Sequence, residues 1–164
     1  MKQILLATGL LALPSVVSST QSVTQVPGNK QDDPRLDRLR RFFADYDSPL
    51  SSAAAEFLIA ADTNDLDWRL LPSISIVESS GGKVYANNNV LGWDSARRSF
   101  DSVEAGILAV ADRLGNSKLY KDKDLDEILA TYNPVPNYPQ RVKAVMRALG
   151  QGLDEEVASL LPKI

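Results

Sequence analysis

The chain has 164 residues, 18 basic against 21 acidic side chains and a formal charge of −3, enough for one domain with its own core. It contains no cysteine and no histidine, which excludes disulfides, thiol catalysis, cysteine- or histidine-ligated metal and Ser–His–Asp chemistry. General acid–base work therefore falls to Asp, Glu, Tyr or Lys, and the mild negative charge argues against a nucleic-acid partner.

Residues 1–19 read as an export signal. Lys2 is the positive start, Ile4 to Val17 is largely apolar, and the small residues Ser18, Ser19 and Thr20 follow. The apolar stretch is short for a stable membrane span, so a cleaved signal is expected, with an uncleaved anchor as the alternative. The expected location is outside the cell or in the periplasm or cell envelope. Residues 20–33 are polar and aperiodic, a flexible lead-in. Residues 34–164 are expected to form the domain.

From Pro34 the spacing is helical. Leu36, Leu39 and Phe43 recur at i, i+3 and i+7, with Arg35, Arg38 and Arg41 mainly opposite. Those arginines read first as a solvated, salt-bridged face, and second as contact with an anionic wall or lipid surface. Ser48-Pro49 starts the next helix, Ser as N-cap and Pro at the first helical position, and Asn64-Asp65 ends it. Asp67 is expected to cap a third helix, with Pro72 giving a kink or a late start.

That third helix ends at Glu78, directly before Ser79-Ser80-Gly81-Gly82. Leu71, Ile74 and Glu78 share a face, so a carboxyl continues a stripe that should turn inward. A buried carboxyl must be hydrogen-bonded, protonated or both. A carboxylic acid kept protonated near neutral pH is what a glycosidic oxygen needs from a general acid. The plainer reading is a solvated acid in a last turn.

After Gly82 the pattern breaks. Lys83-Val84-Tyr85, Val90-Leu91-Gly92-Trp93 and Arg98-Ser99-Phe100 are short runs between turn formers, expected to form a small β-hairpin or an irregular loop region. Asp101 or Ser102 then caps a helix with Val103, Ile107, Val110 and Leu114 inward. A short helix follows over 125–132, then a three-proline loop over 133–139. A helix over 140–149 buries Val142, Val145, Met146 and Leu149, and a last one is expected over 154–161. The fold class expected from these signals is mainly α.

The order of these signals resembles bacterial glucosaminidase-type domains, of the mannosyl-glycoprotein endo-β-N-acetylglucosaminidase-like kind, in the lysozyme-like superfamily. More distantly it resembles soluble lytic transglycosylases and goose-type lysozyme. The resemblance spans roughly residues 46–149. It rests on the helix ending in Glu78-Ser79, the Asn-rich segment with Gly92-Trp93, the capped helix FDSVEAGILAVADRL, Leu119-Tyr120, Tyr132-Asn133 and Tyr138-Pro139-Gln140-Arg141-Val142. Pro134 stands where the family often has glycine.

The resemblance implies a lysozyme-like helical domain that cleaves the glycan strands of peptidoglycan. Glu78 is then the general acid, and Tyr132 reaches that acid or the sugar. Asn88, Asn89, Gly92, Trp93, Asn133 and Tyr138 line the substrate groove. An indole can stack on a sugar face and an amide can bind an N-acetyl group; equally, Trp93 can plug the core while the asparagines form turns. Asp94 is a possible second acid, with Asp101 simpler as the N-cap of the following helix and Glu104 as an acid of its first turn. A two-carboxylate glycosidase needs its partner about 5–5.5 Å away for retention or about 6.5–9.5 Å for inversion. Hydrolysis at N-acetylglucosamine is expected first and lytic transglycosylation to 1,6-anhydro products second. A non-catalytic glycan-binding envelope protein is the other class. No cofactor or metal is expected, the partner is peptidoglycan or another N-acetylglucosamine-containing glycan, and a monomer is expected.

Overall fold

A computed structural model describes residues 33–151. The expected signal peptide, the lead-in up to residue 32 and the last helix expected over 154–161 lie outside the described residues.

Among the described residues six α-helices and one 3-10 helix follow in order: α1 (Pro34–Asp45), the 3-10 helix (Pro49–Ala53), α2 (Ala54–Thr63), α3 (Leu70–Ser79), α4 (Val103–Asn116), α5 (Leu125–Tyr132) and α6 (Tyr138–Gln151). Helix α3 packs on α6 and α2, α2 packs on α4, and α1 packs on the 3-10 helix and α2. Among the described residues no helix is long and apolar enough to cross a membrane.

Helix α3 is the buried axis. Leu70 to Ile76 are all buried, including Ser73 and Ser75. The Ser75 hydroxyl returns to the Pro72 carbonyl at 2.7 Å, which answers the need for a partner that burial imposes on a polar group. Truncating Leu71 or Ile74 to alanine costs about 2–5 kcal/mol, the range for emptying packed sites. Pro72 lies in the first turn, where no intrahelical N–H is needed. The cap differs from expectation. Asp67 accepts from the Arg69 backbone N–H at 2.9 Å, one turn ahead of the helix, and α3 has no side-chain cap.

Helix α6 begins at Tyr138, two residues before the expected start at 140, and α2 continues from the 3-10 helix without a side-chain cap. Asp33 caps α1 and Ser48 caps the 3-10 helix. Ser102, rather than Asp101, caps α4. Asp124 and Glu127 form a reciprocal capping box on α5. Arg35 on α1 pairs with Asp33 at 2.7 Å and Asp62 at 2.8 Å.

The expectation of a small β-hairpin after α3 is corrected. The described residues contain no strand and are all-helical apart from turns and loops. Asn87 and Asn88, then Asp94, Ser95 and Ala96, take positive φ values of 54° to 60°. A strand ladder cannot form through such left-handed residues. Side-chain amides bind the loop backbone in place of a ladder, and Val90 and Leu91 are buried individually.

Candidate active site

Glu78 occupies the last turn of α3. Leu71 and Ile74, on the same stripe, are fully buried, whereas Glu78 is half-buried. Beyond it Ser80, Gly81 and Gly82 all have positive φ and turn the chain back. Three side-chain bonds reinforce the backbone bonds of this turn. Ser79 Oγ donates to the Ser75 carbonyl at 2.9 Å and accepts from Gly82 N–H at 2.9 Å, and Ser48 Oγ donates to the Gly81 carbonyl at 2.5 Å. The residue that caps the 3-10 helix thus also anchors the turn that ends the Glu78 helix. A Cβ at Gly82 would sit 2.7 Å from Leu50 Cγ, so glycine is required by space as well as by φ.

Two loops close on the carboxylate. From the α5–α6 connection, Asn133 Nδ2 donates to Glu78 Oε1 at 3.3 Å. Asn133 is the C-cap of α5, and its own Oδ1 accepts from Val135 N–H at 3.2 Å, which orients the amide. From the α3–α4 connection, Gly92 lies against the other carboxylate oxygen. It has φ +68°, and a Cβ there would lie 2.5 Å from Glu78 Oε2.

Asn88 and Asn89 act on the loop itself. Asn89 is 3 % exposed. Its Oδ1 accepts from Trp93 N–H at 2.9 Å, and its Nδ2 donates to the carbonyls of Trp93 and Arg98 at 2.9 and 3.1 Å. No donor remains on that amide for an N-acetyl group. Asn88 Nδ2 donates to the Phe100 carbonyl at 2.9 Å, closing the base of the loop. Together they set the position of Gly92 and Trp93.

Four aromatic rings pack in a row, and the charge of Glu78 reaches two of them, Tyr132 and Tyr138. Trp93 packs on Tyr132 with centroids 5.5 Å apart and on Tyr120 at 6.3 Å, and Tyr132 stacks on Tyr138 at 6.2 Å with planes 9° apart. The Tyr132 hydroxyl donates to the Leu91 carbonyl at 2.6 Å. Its proton is thus committed to the residue before Gly92. Tyr138 is 1 % exposed, and its buried hydroxyl has no partner in hydrogen-bond geometry. Burial first, and then the Glu78 charge, raise the pKa of both tyrosines far above the ordinary value. Both remain proton donors throughout the neutral range.

The open space lies beyond Gly92. A cleft of about 290 Å³ is lined by Gly92, Trp93, Asp94, Leu119, Tyr120 and Tyr132. It shares Trp93, Asp94, Leu119 and Tyr120 with a wider cleft of about 510 Å³ against α4. Glu78 lines neither; Gly92 is the residue common to its carboxylate and the narrower cleft.

None of the three other acids is presented as Glu78 is. Asp94 is exposed, has φ 54° and is paired with Arg97 at 2.7 Å. Asp101 is exposed ahead of α4. Hydrogen bonds from its own backbone N–H and from the Ser102 side chain hold the Glu104 carboxyl below its ordinary range, as suits an acid in a first turn. Among the described residues no group of three Asp, Glu, His or Cys side chains is placed to hold a metal ion.

Sequence reasoning assigned no role to the α4 face that walls the wider cleft. Asp112 and Arg113 lie off the buried stripe of Ile107, Val110 and Leu114, a polar face that carries no distinguishing signal by itself. No protein-family model matches the chain, and neither the curated proteins nor the solved structures hold a significant match to it.

Proposed function

We propose that this protein cleaves the glycan strands of peptidoglycan, with Glu78 as the single general acid. The observation that carries the reading is a half-buried carboxyl at a helix end, held by the Asn133 amide, with the Tyr138 hydroxyl buried nearby and Gly92 leading to an aromatic-lined cleft. The ordered resemblance to glucosaminidase-type domains supports the substrate class.

The chemistry follows from that arrangement. Glu78 gives its proton to the glycosidic oxygen as the bond to the anomeric carbon breaks. Asn133 and Tyr138 offer donors to the carboxylate left behind, which stabilises its charge. Trp93 and Tyr120 provide flat apolar faces for sugar rings. The ionised Glu78 then takes a proton from the attacking oxygen and is ready for another cycle. With water as attacker, and the substrate's own N-acetyl group assisting, the product is a reducing N-acetylglucosamine end.

One observation favours a second reading, lytic transglycosylation. Asp94, Asp101 and Glu104 are all exposed and otherwise engaged or placed at the start of α4, which leaves one carboxyl for both proton transfers. The attacking oxygen is then the 6-hydroxyl of N-acetylmuramic acid. Mass spectrometry of digested peptidoglycan separates the two: reducing N-acetylglucosamine ends support hydrolysis, and 1,6-anhydro ends replace it with transglycosylation. Absence of both across a range of pH contradicts cleavage altogether and leaves a glycan-binding envelope protein.

A further inference from the structure

Cleaving a bare sugar strand gives no role to the charges of the wider cleft. One wall is the 93–100 loop, with Trp93, Asp94, Arg98 and Phe100, and the other is α4 and the turn after it. The cavity of about 510 Å³ falls within the size of small-molecule sites. It shares Trp93 and Tyr120 as wall residues with the narrower cleft that reaches Gly92 and Tyr132.

Its charges are unequally matched. Asp94 is neutralised by Arg97 at 2.7 Å, and Asp112 accepts from the Asn116 amide at 3.0 Å. Arg98 and Arg113 make no ion pair and no side-chain hydrogen bond among the described residues. Two arginines from separate elements therefore line one cavity without an ion-pair partner, beside Asp112, whose carboxylate is met only by a neutral amide. A guanidinium presents paired N–H donors that match a carboxylate, and holding two in one cleft favours an anionic guest. Phe100 and Val110 supply apolar wall beside them, and Asp112 offers a partner for an amine.

We infer that the wider cleft is a specificity subsite for the carboxylate-bearing peptide branch of the glycan, held by Arg98 and Arg113. A short peptide has the three features the cavity answers: carboxylates, alkyl side chains and an amine. The inference rests on the reading of the protein as one that acts on peptidoglycan. It adds that branched strands are preferred to bare ones.

The test measures binding rather than cleavage. The full chain carrying Glu78→Gln is titrated with glycan strands that retain their peptides and with strands stripped of them by an amidase. Peptide-bearing strands are expected to bind about tenfold tighter, the worth of one or two partly exposed charge-assisted contacts. Arg98→Ala with Arg113→Ala should abolish that preference without weakening binding to stripped strands. Lysine at both positions should restore part of it, and Arg40→Ala, on exposed α1 surface, should leave it intact. Equal affinity for the two strands, or a preference that survives the double alanine substitution, overturns the subsite. A wild-type chain that cleaves both strands equally well and shows no preference in binding overturns the subsite alone. A chain that cleaves nothing yet shows the arginine-dependent preference removes the catalytic reading and leaves the subsite standing.

Discussion

Gly92 and Glu78 are in direct contact across the α3–α4 connection: a Cβ on Gly92 would lie 2.5 Å from Glu78 Oε2 and 2.9 Å from Cδ. The glycine therefore sets how far the carboxyl reaches toward the cleft. Its φ of +68° adds a backbone cost for any other residue. Gly92→Ala is expected to lose about 1–2 kcal/mol of stability from the left-handed conformation and to displace the carboxyl as well. The activity loss should exceed what the fall in Tm accounts for, because the methyl group occupies the place of the acid. A variant as active as wild type, at a temperature where both are folded, would show that Glu78 does not work from its observed position.

Tyr132 and Tyr138 stack on each other and differ in what their hydroxyls do, so their phenylalanine variants should part company. Tyr132→Phe leaves the buried Leu91 carbonyl without its 2.6 Å donor, a loss of about 1–3 kcal/mol. Tyr138→Phe removes a buried hydroxyl that interacts with Glu78 without closing a hydrogen bond of good geometry, and should change stability by less than about 1 kcal/mol. Its effect belongs in turnover, with kcat falling about tenfold as a donor near the acid is lost. Thermal melts beside initial rates on peptidoglycan separate the two. Equal destabilisation by both variants, with activity unchanged in Tyr138→Phe, would contradict the assignment.

Asn89 is a sharp case of a residue whose type was legible and whose task was not. Asn89→Ala removes bonds to Trp93 N–H and to the carbonyls of Trp93 and Arg98. A stability loss of about 2–4 kcal/mol is expected for a buried network of this kind. A sugar-binding role predicts near-native stability with a raised KM, so a melting curve and a KM measurement decide between them.

The helices were readable because their apolar spacing, caps and prolines agree. Leu36, Leu39 and Phe43 on α1, and Val142, Val145, Met146 and Leu149 on α6, are all buried as their periods require. Periodicity carries no information about a connection built from left-handed residues and side-chain amides, and the short apolar runs Val84-Tyr85 and Val90-Leu91 look like strands for want of it. Glu78 was legible because an acid interrupts an inward stripe. Which tyrosine faces that acid was not, since both lie near α5 and α6 ends and only the tertiary packing commits Tyr132 to Leu91. Arg98 and Arg113 were invisible for a plainer reason. Two arginines fifteen positions apart meet only when a loop folds back on α4.

The buried tyrosines also set an alkaline limit on the fold. Burial raises Tyr46, Tyr120, Tyr132 and Tyr138 above the ordinary value of 10.0. A group whose folded pKa is raised contributes stability that is fully present below its unfolded pKa and is lost as pH climbs above it. Stability should therefore fall above about pH 10. The phenolate absorbance of the buried tyrosines, the exposed Tyr85 set aside, should rise in one cooperative step together with loss of helical circular dichroism. Ionisation of all the tyrosines in a gradual titration, ahead of unfolding, would show that the cluster beside Glu78 is open to water.

The most direct measurement concerns Glu78 itself. Wild-type chain and Glu78→Gln are incubated with purified peptidoglycan, and released products and sedimented protein are measured side by side. Glutamine keeps the shape and the contact with Asn133 and has no proton to give. Turnover by the wild type should fall by about a thousandfold in the variant, the scale of a lost general acid, while both proteins sediment equally with the polymer. A variant that cleaves as fast as wild type, or a wild type that binds peptidoglycan and releases nothing from it, would contradict the assignment of Glu78 as the acid.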